Sequence, residues 1–253
     1  MKIRNLFLFA VLLAACAPAP APTATLTLSP SATLEPSATP TRTPKPTTDW
    51  TATAQVKATD EMAYLVDSVQ PDLELVGYSI DEGELGYQME GPIEIVAELP
   101  NFRYWDFPEP FTNPVFEDFV LSLDIVWNSE TGFAGCDVIF RSDGDIGDGE
   151  HAKLSTMRLS GAPSYDLTIV NFNTIYGVIA RGSNMAIKQG ANAVNHYVIA
   201  VQGSEVRVYV NGVRLAAGNV KESMNKGEIV FEAWQESGET TCTFSNAWVW
   251  ELP

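Results

Sequence analysis

Phe119, Leu121, Leu123, Ile125 and Trp127 occupy every second position of one short stretch, with Ser122 and Asp124 between them. Side chains spaced by two share a face only on an extended strand, so this stretch is a strand with its apolar face turned inward. The signal recurs along the chain. Glu84–Met89, Ile93–Leu99, Gly135–Arg141, Lys153–Leu159, Tyr165–Val170, His196–Val201, Val206–Val210, Glu228–Trp234 and Thr243–Leu252 all read as short strands, and Leu73, Leu75 and Val76–Ile80 suggest one more. Asn211-Gly212 follows Val206–Val210 and is the strongest hairpin signal, because a two-residue hairpin loop demands positive φ. Helices do not alternate with the strands, which points to an all-β sandwich or jelly roll.

One helix is expected ahead of the strands. Asp49 or Thr51 caps it, Ala54, Ala58, Met62, Leu65, Val66 and Val69 recur at helical spacing, and Pro71 ends it. It reads as a stalk or an edge helix over residues 49–70, with the sandwich in 71–253.

The first 48 residues follow other rules. Lys2 and Arg4 precede an apolar run, Leu6–Leu13, that is too short to span a bilayer. Leu13-Ala14-Ala15-Cys16 resembles the lipobox of bacterial lipoproteins, in which the cysteine is acylated and becomes the new N-terminus. That resemblance implies a signal peptide over 1–15, a lipid on Cys16 and an extracytoplasmic, membrane-anchored protein. The alternative is an ordinary secretory signal with Cys16 a bystander. Residues 17–48 contain 26 Ala, Pro, Ser or Thr among 32, eight of them Pro, so 16–48 reads as an extended tether. At about 3.1 Å per residue it reaches roughly 100 Å.

Charge narrows the partners. Acidic residues number 32 and basic 15, a net charge of −17, and nearly all of the acid lies beyond residue 48, where the net charge is −20. Such a field repels phosphate backbones and excludes a nucleic-acid partner. Two histidines and three cysteines exclude a zinc finger or a multi-histidine metal centre. Beyond Cys16, only Cys136 and Cys242 remain. An exported chain meets an oxidising compartment, so a Cys136–Cys242 disulfide is expected, with two buried thiols as the alternative.

The runs Phe119–Trp127, Gly135–Arg141, Val206–Leu215, Gly227–Phe231 and Phe244–Trp248 resemble the concanavalin A-like lectin and glucanase sandwiches, with laminin G-like and 3-keto-disaccharide-hydrolase-like modules as the nearest kinds. The resemblance spans residues 73–252. It implies a jelly roll and a role in binding or processing glycans. The Glu-x-Asp-x-x-Glu strand of the glycosidase branch is missing, since no Glu-x-Asp occurs in the chain.

Three groups of residues are candidates for chemistry. A hairpin centred near residue 130 is expected to bring Asp124 beside Asp137, with Arg141 as their counter-charge; this trio is the catalytic candidate should the protein be an enzyme. Asp143, Asp145, Asp148 and Glu150 crowd a glycine-rich loop and could supply oxygens to calcium, although a solvated acidic turn reads equally. Tyr104, Trp105 and Phe107 lie in an irregular Pro-rich segment and, with Arg141, could hold a sugar; Trp234 and Tyr209 could extend that surface. The leading expectation is a non-catalytic glycan- or ligand-binding module. A glycoside-active enzyme and a structural or adhesive envelope protein are the alternatives.

Overall fold

The structure is a computed structural model that describes residues 62–98, 101–105, 114–128, 133–159, 162–236 and 239–253. The expected signal peptide, Cys16, the tether and the start of the helix lie outside the described residues. The all-β jelly-roll sandwich read from the sequence is what the chain adopts. Thirteen strands are described: β1 (Glu84–Gln88), β2 (Ile93–Glu98), β3 (Asn101–Trp105), β4 (Phe119–Trp127), β5 (Ala134–Ser142), β6 (Glu150–Leu159), β7 (Ala162–Asn171), β8 (Thr174–Ser183), β9 (Asn195–Gln202), β10 (Glu205–Val210), β11 (Val213–Asn219), β12 (Glu228–Gln235) and β13 (Glu239–Glu251).

They form two antiparallel sheets. The first runs β1-β13-β4-β9-β10-β11, with β2 also on β13; the second runs β3-β12-β5-β6-β7-β8. Alternate residues of each sheet face inward and form one continuous core, including Phe119, Leu121, Leu123 and Ile125 of β4, Val138 and Phe140 of β5, and Phe231 of β12. Phe231 and Phe244 stack across it with ring centroids 4.6 Å apart. Cys136 of β5 and Cys242 of β13 form a disulfide with Cα atoms 5.7 Å apart. It staples one sheet to the other through the core.

Two expectations about chain path fail. β4 and β5 are not a hairpin: β4 pairs with β13 and β9 in the first sheet, and β5 with β12 and β6 in the second. Period two identifies a strand but not its partner. Pro71 does not end the helix either. A π-helical stretch, Leu65–Val69, leads into helix α1, Gln70–Leu75, with Pro71 in its first turn, where the missing N–H costs little. Leu73, Leu75 and Val76 therefore belong to a helix and its cap rather than a strand. The stop is Gly77, at φ 90°: its N–H donates to the Glu74 carbonyl and that of Tyr78 to the Leu73 carbonyl, a Schellman motif.

α1 lies on the outer face of the first sheet. Val69, Leu73 and Val76 pack there against Val120, Val198, Ala200, Trp248 and Trp250. A charged clip adds to this apolar contact. His196 of β9 places Nδ1 2.8 Å from Asp124 Oδ1 and Nε2 3.0 Å from both carboxylate oxygens of Asp72 on α1. Ser122 donates to Asp72 at 2.6 Å, and Asn246 to Asp124 at 2.8 Å. The hydrogen bonds to Asp124 and Asp72 push the His196 imidazole up to about 10. Burial would raise Asp124, but hydrogen bonds from His196 and Asn246 hold it below the usual carboxylate range.

Two predictions follow from these ties. Cys136→Ser or Cys242→Ser should destabilise the domain by about 2–5 kcal/mol in urea unfolding, as the loss of a native disulfide generally does. The His196 contribution should be complete below its unfolded value of 6.5 and vanish as pH rises through about 10, because the folded state holds the extra proton. Unfolding free energies measured across that window should fall for the wild type and flatten for His196→Gln; equal slopes would contradict the clip.

Candidate functional site

Among the described residues, α1 covers the first sheet and no helix packs on the outer face of the second. One register line crosses it: Tyr104 of β3, Glu232 of β12, Asp137 of β5, Ser155 of β6, Asp166 of β7 and Arg181 of β8 are successive cross-strand partners. Directly opposed residues share a face, so the line from Glu232 to Arg181 is a polar row across the sheet. A cleft of about 670 Å³ opens over it, lined by His151, Lys153, Ser155, Asp166, Glu232 and Trp234 among others.

Its floor is a buried ionic cluster. Lys153 Nζ lies 3.2 Å from Asp137 Oδ2 and 3.1 Å from Glu232 Oε2. Ser155 Oγ donates to Asp137 Oδ2 at 2.9 Å and the Trp234 indole to the same oxygen at 3.0 Å. Gly135 makes the last contact possible: a Cβ there would overlap the indole, so only glycine lets Trp234 lie across β5. Phe133 closes the other side of the ring, edge-on at 4.7 Å.

The cluster holds more acid than base. Burial pushes Glu232 up to about 7, and the neighbouring Asp137 charge adds to the effect. Asp137, fully enclosed, is likewise raised by burial despite Lys153. Burial alone would lower Lys153, but the charges of Asp137 and Glu232 outweigh it and keep the ammonium protonated. His151 is lowered to about 4 by burial and by Lys153, so its ring is neutral at pH 7. Three buried polar atoms here have no hydrogen-bond partner: Asp137 Oδ1, Glu232 Oε1 and His151 Nδ1.

The residues singled out in the sequence scatter. Asp124 sits on the first sheet in the His196 clip, while Asp137 is at the cleft floor on the second. Arg141, at φ 53°, is buried at one end of β5, where it donates to the carbonyls of Gly203, Met224 and Glu117 and to Asp118 Oδ1. It ties three loops together and serves neither carboxylate. The catalytic trio is therefore not a site. Tyr104 and Trp105 belong to edge strand β3 rather than an irregular segment, and Phe107 lies outside the described residues. Trp234 does reach the cleft, whereas Tyr209 packs beside α1.

The acidic loop turns its carboxylates on itself. Asp143 accepts from the N–H groups of Asp145 and Glu150, Asp145 accepts from those of Gly147 and Asp148, and Glu150 pairs with Lys221. Among the described residues no group of three or more His, Cys, Asp or Glu is placed to hold a metal ion. Lys153, Glu232 and His151 were missed by sequence reasoning. Their trace was legible as charged residues at outward positions of otherwise apolar strands, but only the register of β12 and β5 brings Glu232 to Asp137.

No family model matches the chain, and no curated sequence does. Solved structures similar to it include a carbohydrate-binding module, CBM66, from Bacillus subtilis (16% identity, 67% of this chain and 92% of that one, TM-score 0.44). A protein of unknown function with a galectin-like fold from Bacillus subtilis is similar at 12% identity (67% and 97% covered, TM-score 0.49). A prokaryotic β-1,3-1,4-glucanase from a mouse hindgut metagenome is similar at 8% (64% and 79%, TM-score 0.44).

The cluster makes its own prediction. Lys153→Met leaves two buried carboxylates without a cation and should cost about 3–5 kcal/mol, the usual penalty for breaking a buried pair. Adding Glu232→Gln should return part of that loss in chemical denaturation. No recovery in the double variant would contradict the pairing.

Proposed function

We propose that this chain is a lipid-anchored extracytoplasmic module that binds a saccharide in the cleft of the second sheet without turning it over. One observation carries the reading: the cleft sets the Trp234 indole beside the polar side chains of Lys153, Ser155, Asp166 and Glu232. Sugars present hydroxyls and apolar C–H faces, and that lining matches both. The anchor is supported by the Lys2, Arg4, Leu6–Leu13 and Cys16 arrangement and by the Pro-rich tether after it.

A glycoside-active enzyme is the second reading, and the raised Glu232 favours it, since a carboxyl near 7 suits a general acid. Against it, both carboxylates are almost wholly enclosed and clamped by the same ammonium.

A glycan array with the full chain tests the binding reading. Trp234→Ala or Asp137→Asn should weaken the bound signal about tenfold or more, equivalent to about 1.4 kcal/mol, while Val66→Ser on the exposed side of the helix leaves it unchanged. Equal retention by all variants would move binding elsewhere. Release of reducing sugar by the wild type, lost in Glu232→Gln, would replace the binding reading with the enzymatic one. Cys16→Ser should shift the protein from the detergent phase to the soluble fraction, because multiple acyl chains anchor stably.

A further inference from the structure

We propose that the saccharide taken by this cleft is a glycoside with an apolar aglycone, an alkyl or aryl group that lies on the β7–β8 side of the cleft. This deepens the saccharide-binding reading and rests on it. The cleft reaches from Trp234 on β12 to Ile175 on β8, across four inter-strand spacings, or about 19 Å. Its lining changes character along that length. Lys153 and Ser155 of β6 make the middle polar. On the far side, Val170 of β7 and Ile175 of β8 are direct cross-strand partners, and Ile146 of the loop between β5 and β6 joins them in the lining. Ile175 is 52% exposed, so this apolar shelf is open to a ligand. Thr168, also in the lining, is paired with Val178, which is 51% exposed and extends the shelf. Arg181, the one charged residue of β8, donates twice to Asp166 at 2.7 Å.

A sugar alone does not suit that end. Its hydroxyls would leave water there for Ile146, Val170 and Ile175, whose side chains offer no hydrogen bonds. An alkyl or aryl group would instead remove both its own surface and theirs from water. The hairpin between β7 and β8 carries the same character outward. Phe172, Ile175, Tyr176 and Val178 are all more than half exposed, and such a cluster of large apolar side chains marks an interaction surface. Tyr176 turns toward Lys221, whose ammonium lies 3.9 Å from its ring centroid, and is not part of the shelf. Phe172 holds φ at 50°, a left-handed conformation that a bulky residue adopts at a cost and that Asn or Gly would take more easily in this two-residue turn. The cleft, at about 670 Å³, has the size of a small-molecule site, and the shelf is continuous with it, so one amphipathic ligand fills both better than a folded partner.

Isothermal titration calorimetry of the full chain carrying Cys16→Ser, so that no acyl chain competes for the shelf, tests this with the methyl and hexyl β-glycosides of cellobiose, lactose and maltose and with 1-hexanol. A methylene taken out of water is worth about fourfold in affinity. For at least one of these sugars the hexyl glycoside should therefore bind about tenfold or more tighter than the methyl glycoside. Ile175→Ser, at an exposed position, should narrow that hexyl-to-methyl ratio about threefold. Val96→Ser, exposed on β2 of the first sheet, should leave it unchanged. Equal binding of hexyl and methyl glycosides, or an unaltered ratio in Ile175→Ser, overturns this inference and leaves the saccharide reading standing. Hexanol that binds as tightly as the hexyl glycosides, or no binding by any glycoside, overturns both.

Discussion

Where β12, β5 and β6 run side by side, Lys153 places one ammonium 3.2 Å from Asp137 and 3.1 Å from Glu232. Everything on the open face is arranged around that contact. Two carboxylates cannot both stay ionised in a desolvated place without a cation, and one cation cannot neutralise both. Burial and then the neighbouring Asp137 charge raise Glu232, whereas burial and the Lys153 charge lower His151. The cluster also explains why Gly135 and Trp234 occur as a pair: the indole adds a donor to Asp137, and only a residue without a side chain leaves it space. Asp137 Oδ1 and Glu232 Oε1 stay buried without a hydrogen-bond partner, which is an energetic burden to the folded domain.

The two faces of the sandwich have opposite fates. On the first sheet, α1 buries Val69 and Leu73 over Trp248 and Trp250, and His196 links Asp72 to Asp124. That face is closed by the chain itself. On the second sheet the polar row from Glu232 to Arg181 stays open to the cleft. The disulfide between β5 and β13 spans the core between them and connects the strand that carries Asp137 to the strand on which α1 rests. Arg141 secures one end of β5 by collecting loop carbonyls. Rigid placement of β5 is what keeps Asp137 in line with Glu232 and Ser155.

Much of the fold was legible because it rests on local patterns. Alternation at Phe119–Trp127, the Asn211-Gly212 turn and the two distal cysteines each act through spacing or composition, and each has its counterpart in the structure. Strands β3 and β8 were missed: β3 hid in an aromatic, Pro-flanked segment, and β8 is an edge strand with exposed Ile175, Tyr176 and Val178 that breaks the alternation. The helix end was misread because Pro71 is tolerated in a first turn, whereas Gly77 supplied the true stop. The site was legible only in part. Asp137 was named, but it was given the wrong partners, since a hairpin was assumed between strands that belong to different sheets. Glu232 lies 95 positions further on, and long-range register is not written in any local pattern.

The central claim is that the second sheet's outer face receives the ligand. The most direct measurement follows the indole N–H resonance of Trp234 and the side-chain signals of Lys153 by NMR while the full chain is titrated with a neutral oligosaccharide. The account predicts saturable shifts at Trp234 and Lys153, with the indoles of Trp248 and Trp250 under α1 unmoved. Shifts confined to Trp248 and Trp250, or no saturable shift at Trp234, would contradict it.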